Sequence, residues 1–422
     1  MSSLNLKNIV FWCFVPSMML DYFMLMLGID LHRIIAGPFI LAVDFFAILY
    51  IIKSSREKNR PWGKNVFLIW FFYNILSILG YLWNGKPIEC YFEILRPLIF
   101  PMLFFFVGND YKEKGNRFYD IYLISCIVCF VIGIILFVSM PPFYLDYLKR
   151  MMEDSWYEQN TSESYLMEFG RMSSFFKDSY AISYLSVPAL ALSLGFMMKK
   201  TKFNQSVLYF FAFICFLSAM LCQQRAAMAG AILVFVFFLL YNNKISKTKV
   251  IVVAVLFIVV GSIYIVNDER YDAINTMITS RFEDMSSKES LNSGRTDQYT
   301  SALDGCNNIL FGDGIGSGSS IIRKYGFKGV SDGEYVRILV ENGIVGLFLF
   351  LLLIVNTVKR CFNDLKKHAT EFCIVCFFLL AMTGSNSLSI NFFYSCIFWY
   401  AIGNVWRPQI QLELSNKKLT KL

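Results

Sequence analysis

Three arginines in this chain stand where a structural task is hard to assign. Arg171 lies in GRMSSFF ahead of an apolar run, Arg225 opens another run in LCQQRAAMAG, and Arg295 lies in NSGRTDQY. Singly, each fits a basic side chain snorkelling to a surface. Together they point to an anion site, because forked guanidinium donors match phosphate oxygens in a way an ammonium cannot. Proton transfer would fall to carboxylates, and Asp297, Asp313, Asp332 and Glu334 all follow the third arginine. Within that stretch runs FGDGIGSG at 311–318, with Gly312, Gly314 and Gly316. No Gly-Lys-Ser/Thr follows it and no strand leads through it into a helix, so it is not read as a nucleotide loop. It reads instead as a tight turn that lets backbone come close to a sugar or a phosphate. The only histidines are His32 and His368, and no zinc-ligand spacing occurs. Gly-x-Ser-x-Gly is also missing, which removes nucleophile-elbow hydrolases.

Long apolar runs must hold these residues in place. Of 422 residues, 56% are hydrophobic and 17% charged, against roughly 25% charged in soluble domains. One buried core cannot absorb that much apolar side chain, so most of the chain is solvated by lipid. Runs able to cross about 30 Å of hydrocarbon at about 1.5 Å per residue fall at 9–27, 34–52, 65–83, 91–108, 119–140, 179–198, 203–221, 226–241, 249–266, 335–357, 371–386 and 390–406. The expected fold is an all-α polytopic membrane bundle of about twelve transmembrane helices, a single integral domain over 1–422. The first run lacks a cleavage site and continues into the next, so no cleavable signal peptide is expected.

Lys and Arg set the orientation, because basic loops resist translocation. Lys53, Arg56, Lys58, Arg60 and Lys64 fill one connection, and Lys112, Lys114 and Arg117 another. The same parity gathers Lys199, Lys200 and Lys202, then Lys244, Lys247 and Lys249, then Lys359, Arg360, Lys366 and Lys367, and the basic tail. All land on one side, which places both termini in the cytoplasm of a bacterial inner membrane. The net charge of +8 is then topological, and no nucleic-acid partner is expected.

Two connections on the opposite side are long and acidic on balance. The first, 141–178, holds seven carboxylates against four basic residues, and its PFYLDYLKRMMEDSWYEQ has helical apolar spacing suited to lying on a membrane surface. The second, 267–334, is a large extracytoplasmic loop of 68 residues between spans 9 and 10, with eleven carboxylates against seven basic residues. That is far longer than an ordinary connection, and its aromatic and aliphatic residues argue for a folded substrate platform. Of eleven cysteines most lie in apolar runs and only Cys306 is placed in an exported loop, so no disulfide framework is expected.

At this point the residues resemble a known family. NSGRTDQYTSALDGCNNILFGDGIGSG at 292–318, followed by SDGEYVRILVENGIVGLFLFLLL at 331–353, is similar to the signature region of O-antigen polymerases and ligases. GRMSSFFKDSYAISYLSVPAL at 170–190 and QQRAAMAGAILVF at 223–235 resemble the family's other arginine segments. The resemblance covers roughly 170–355. Ligases of the family carry His and then Asn, Ser or Gln, nine residues before a Gly-x-x-Gly. Counting back from Gly343 and Gly346 puts Asp332 and Gly333 there, and family polymerases often show an acidic residue at that place. The resemblance thus implies polymerisation of undecaprenyl-pyrophosphate-linked repeat units into O-antigen or capsule, with ligase as the alternative. It implies Asp332, with Glu334 as substitute, and Arg295 in catalysis; Arg171, Arg225, Arg295, Gly312, Gly314 and Gly316 would bind pyrophosphate or glycan. It further implies a lipid-linked oligosaccharide substrate, contact with membrane lipid, a chain-length regulator as partner, no cofactor and no metal.

A lipid-linked oligosaccharide flippase would share the number of spans, but would concentrate polar residues at mid-membrane and keep its loops short. The orientation itself is open to test. In a background without exposed thiols, cysteines at Lys58 and Lys247 are expected to be shielded from an impermeant reagent in spheroplasts, and one at Ser290 to react. The reverse labelling would invert the topology.

Overall fold

The computed structural model describes residues 3–29, 32–55, 66–86, 91–109, 117–153, 171–176, 179–199, 202–241, 299–319, 322, 329–330, 333–388 and 392–407. Its helices are α1 (Ser3–Met26), α2 (His32–Ser55), α3 (Val66–Trp83), α4 (Tyr91–Gly108), α5 (Arg117–Ser139), α6 (Pro142–Glu153), α7 (Ser179–Met198), α8 (Gln205–Leu221), α9 (Arg225–Tyr241), α10 (Glu334–Asn363), α11 (Leu365–Ala381) and α12 (Phe392–Val405). No strand occurs among the described residues. Each expected span overlaps one of these helices except 249–266, which lies outside the described residues. Four of them, α3, α5, α7 and α10, are long and apolar enough to cross a membrane. Shorter apolar helices occur at Gly37–Leu49, Pro97–Gly108, Gln205–Leu221 and Arg225–Tyr241.

The apolar run expected at 371–386 is displaced. Asp364 starts α11 early, its side chain accepting from the Lys367 amide at 3.3 Å. The helix stops at Ala381, and 382–388 is a turn, because Gly384, Ser385 and Asn386 favour turns over helix.

The chain divides into two compact units, one of 1–14, 40–120 and 296–422 and one of 15–39 and 121–295. In the first, α4 lies against α12, α3 against α10, and α11 against both α10 and α12. α4 and α12 approach at two glycines. A Cβ at Gly108 would run into the Tyr400 carbonyl, and one at Gly403 into the Phe105 carbonyl, the small-residue contact that membrane helices use to close up. Around it stack Phe67 on Phe105 at 3.7 Å and Trp70 on Trp399 at 5.2 Å between ring centroids.

In the second unit α7 packs on α8 and α9 and is buried on nearly all sides, from Ser179 to Met197. Three of its four serines bond within the helix: Ser183 donates to the Tyr180 carbonyl, Ser186 to Ser183 and Ser193 to Ala189. The amphipathic α6 buries Tyr144, Tyr147 and Leu148. Both tyrosine hydroxyls donate to the short segment 171–176, to the carbonyls of Ser174 at 2.8 Å and Phe175 at 2.7 Å.

The decisive local feature of the first unit is a break in α10. Gly343 has φ 67° and ψ −173°, so the amides of Ile344 and Val345 leave the helix ladder, as do the carbonyls of Val340 and Glu341 that they would otherwise meet. The glycine-rich loop takes all four. Ile344 donates to the Ile309 carbonyl and Val345 to that of Leu310, while the Asp313 amide donates to Val340 and the Gly314 amide to Glu341, at 2.8 to 3.2 Å. The splice requires backbone against backbone. A Cβ at Gly343 would strike the Leu310 carbonyl, one at Gly312 that of Glu341, and one at Gly314 the Tyr81 amide.

Gly343→Ala therefore adds both a clash and a left-handed alanine, the second alone costing about 1–3 kcal/mol. It is expected to lower the thermal midpoint in detergent by several degrees. Gly37→Ala, where nothing lies within 4 Å, is expected to be neutral or stabilising. Equal effects at the two sites would refute the splice.

Candidate functional site

The second unit brings the backbone segments that carry two of the three arginines to the same turn. The Met172 amide donates to the Leu221 carbonyl at 3.0 Å, which sets Arg171 beside the end of α8. Arg225 begins α9 a few residues on, after a tight reversal in which Gln223 takes φ 50°. Gln224 donates from Nε2 to Ser179 Oγ at 2.8 Å, tying the starts of α9 and α7. The backbone carrying Arg171 is held on three sides. Besides α6 and α8, Ser174, at φ 57°, donates from Oγ to the Cys129 carbonyl at 2.9 Å, close under Gly133 of α5. Arg171 is half-buried and Arg225 exposed. Arg295 and Asp297 lie outside the described residues.

In the first unit Asp332 also lies outside the described residues, but Val330 and Gly333 near it are described. The Val330 carbonyl accepts from Asn386 Nδ2 at 3.0 Å. The Glu334 amide donates to the carbonyls of Met382 at 3.0 Å and Ser385 at 3.3 Å. The Glu334 carboxylate accepts from the Leu388 amide at 3.0 Å and is 2% exposed. Gly333, φ 95°, begins α10 with no side-chain cap bond. The 382–388 turn that replaces the end of an expected span is thus what positions the start of α10.

Sequence reasoning did not single out Arg337, Glu341 or Asn342. Arg337 and Glu341 are both nearly fully buried, with Nε to Oε1 at 2.7 Å. Glu341 Oε1 also accepts from the Gly318 amide at 3.1 Å, so the ion pair grips the far end of FGDGIGSG. Charges at i and i+4 inside an apolar run were the available signal, since intramembrane ion pairs are rarely idle. Asn342 donates to Asn74 Oδ1 at 3.0 Å, and its carbonyl accepts from the Tyr73 hydroxyl at 2.7 Å. Trp70, Asn74, Glu334, Glu341, Asn342 and Trp399 line a small internal cavity.

The structure shows the glycine loop packed closely on its own chain. Gly312, Gly314 and Gly316 all have positive φ, and Gly312 and Gly314 come close to the chain's own broken helix and to α3. Asp313 is buried; it accepts from the Asn307 amide at 2.9 Å and the Asn308 amide at 3.2 Å. That is a turn-closing role for a residue that sequence reasoning offered as a base.

Residues 210–351 match the model of the family described as O-Antigen ligase. This segment, about a third of the chain, is similar to that family. It includes Arg225, the spliced loop and the break at Gly343, and leaves Arg171 outside. No curated protein matches the chain. The membrane-length helices and this similarity together mark a membrane protein.

Cys306 reports on the loop. Burial pushes its thiol above the ordinary value, and the Asp313 carboxylate adds to the rise. Its Sγ lies 3.7 Å from Asp313 Oδ1. Thiolate is the reactive form, so alkylation of Cys306 is expected to lag behind free cysteine at pH 8 and to catch up at higher pH. Asp313→Asn removes the charge, and the midpoint of the pH–rate profile is expected to fall. An unchanged midpoint would separate Cys306 from Asp313.

Proposed function

We propose that this chain, similar over 210–351 to the O-antigen ligase family, polymerises glycan repeat units linked to undecaprenyl pyrophosphate on the external face of the bacterial inner membrane. The observation that carries the choice is Asp332 standing where family ligases place histidine. In the proposed reaction an acceptor sugar hydroxyl attacks the anomeric carbon of the donor. The bond from that carbon to the pyrophosphate oxygen breaks, and the hydroxyl proton passes to the Asp332 carboxylate. The leaving group departs as an anion and needs no proton, so charge stabilisation matters most. Arg171, Arg225 and Arg295 supply it, and Arg295 acts closest to the chemistry.

The convergence of the segments carrying Arg171 and Arg225 at the α8–α9 turn supports the anion role. Glu334 stays second to Asp332 as base, because its carboxylate is buried and already accepts the Leu388 amide. Gly312, Gly314 and Gly316 shape the loop that faces the glycan. The donor bond is already activated, so no cofactor is required. A chain-length regulator is the protein partner proposed. The ligase reading has one observation in its favour, the description of the matched family.

Surface polysaccharide from a deletion strain separates the two readings. A single capped repeat unit is expected for a polymerase, and unmodified lipid core for a ligase. In the complemented strain, Arg171→Ala, Arg225→Ala and Arg295→Ala are each expected to abolish long chains at normal protein level, with Lys rescuing poorly. Asp332→Asn is expected to cut polymerisation about 10²- to 10⁴-fold. If Asp332 only caps α10, Asn serves as well and near-normal polymer will result.

A further inference from the structure

The tip of the spliced loop does not face water in the manner of an ordinary connection. Ile309, Leu310 and Phe311 are consecutive and each about half exposed, Phe311 at 55%. Their carbonyls pair with the amides of Ile344 and Val345 and with the Tyr73 hydroxyl. The amides of Leu310 and Phe311 donate to Asn308 Oδ1, both at 3.1 Å, and that of Gly312 to the Asn308 carbonyl at 2.7 Å. The tip thus turns three large apolar side chains outward while five of the six backbone polar groups of Ile309, Leu310 and Phe311 are paired within the chain. A loop in water has no need of such pairing, because water serves as partner. In hydrocarbon it is obligatory, and irregular backbone survives there only where its polar groups are satisfied.

Depth agrees with this. Ile344 is ten residues into α10, about 15 Å along its axis, and Tyr73 lies ten residues before the end of α3. Both are membrane-length helices. Beside the tip their outer faces carry exposed Phe72, Leu76 and Leu79 on α3 and exposed Ile344 and Phe348 on α10. The loop tip continues an apolar surface of membrane-length helices.

We propose that Ile309, Leu310 and Phe311 are inserted into the acyl chains of the surrounding bilayer, so that the glycine loop is a re-entrant membrane element. Two measurements on the full-length chain in phospholipid vesicles test this. A fluorophore on a single cysteine at Leu310, with native cysteines replaced, is expected to be quenched severalfold more by doxyl-labelled lipid than by aqueous iodide. A probe at the exposed Asp304 is expected to show the reverse order. Second, in the chain with its native cysteines, p-benzoylphenylalanine at Phe311 is expected to give phospholipid photoadducts by mass spectrometry. Iodide quenching at both positions would put the tip in water. Shielding from both quenchers, or adducts to protein alone, would mean that a second copy or another protein covers it. Each of those outcomes overturns the proposal.

Discussion

A helix can be broken within a membrane only if the backbone groups released by the break find other partners. At Gly343 the chain supplies them from its own loop. Two amides and two carbonyls leave the ladder of α10, and two carbonyls and two amides of 309–314 replace them one for one. Much else in the first unit serves this exchange. Glycine at 312, 314 and 343 lets the strands of backbone meet. Tyr73 reaches both sides of the joint, to the carbonyls of Phe311 and Asn342. Asn84 accepts from the Asn307 side chain and donates to the Asp313 carbonyl, and Arg337 with Glu341 closes the far end at Gly318. The Gly-x-x-Gly start is thereby explained: Gly343 makes the break, and Gly346 leaves room for Tyr73 and the Asn342 side chain.

Much of the helical framework was legible because lipid restricts composition so severely. An apolar run of span length has few other fates, and helices lie under the runs from 9–27 to 226–241 and again from 335 onward. The end of α11 was not legible. Gly384, Ser385 and Asn386 carried the turn signal, but the apolar residues on either side drew the expected span through them, whereas the helix yields after Ala381 to the turn that binds Glu334. The glycine spacing pointed to close backbone approach, and the structure shows Gly312 and Gly314 close to the chain's own α10 and α3. Asp313 reads from sequence as a free carboxylate; only the fold shows that it accepts the amides of Asn307 and Asn308. Arg337 and Glu341 escaped notice because two charges in a long apolar run barely change its average.

The arginine-bearing segment shows how a short loop becomes rigid enough to present a charge. Residues 171–176 have no helix or strand of their own, yet α5, α6 and α8 each hold them through a hydrogen bond. Ser174 accepts a left-handed backbone there, and Gly133 leaves it space. A guanidinium on such a support loses little further freedom when it meets an anion, and preorganisation of this kind raises affinity without adding contacts.

The serine pattern of α7 bears on how the protein is made. This helix ends up enclosed by protein, but it leaves the ribosome before α8 and α9, the helices that pack on it. Until they arrive the faces they will cover lack their protein partners. A serine that depended on a later helix for its hydrogen bond would meanwhile burden membrane insertion. In α7, Ser183, Ser186 and Ser193 bond to carbonyls of their own helix, so these three do not depend on a later helix, and only Ser179 at its start takes a bond from the beginning of α9. Its polar residues are compatible with biogenesis as well as with the finished core.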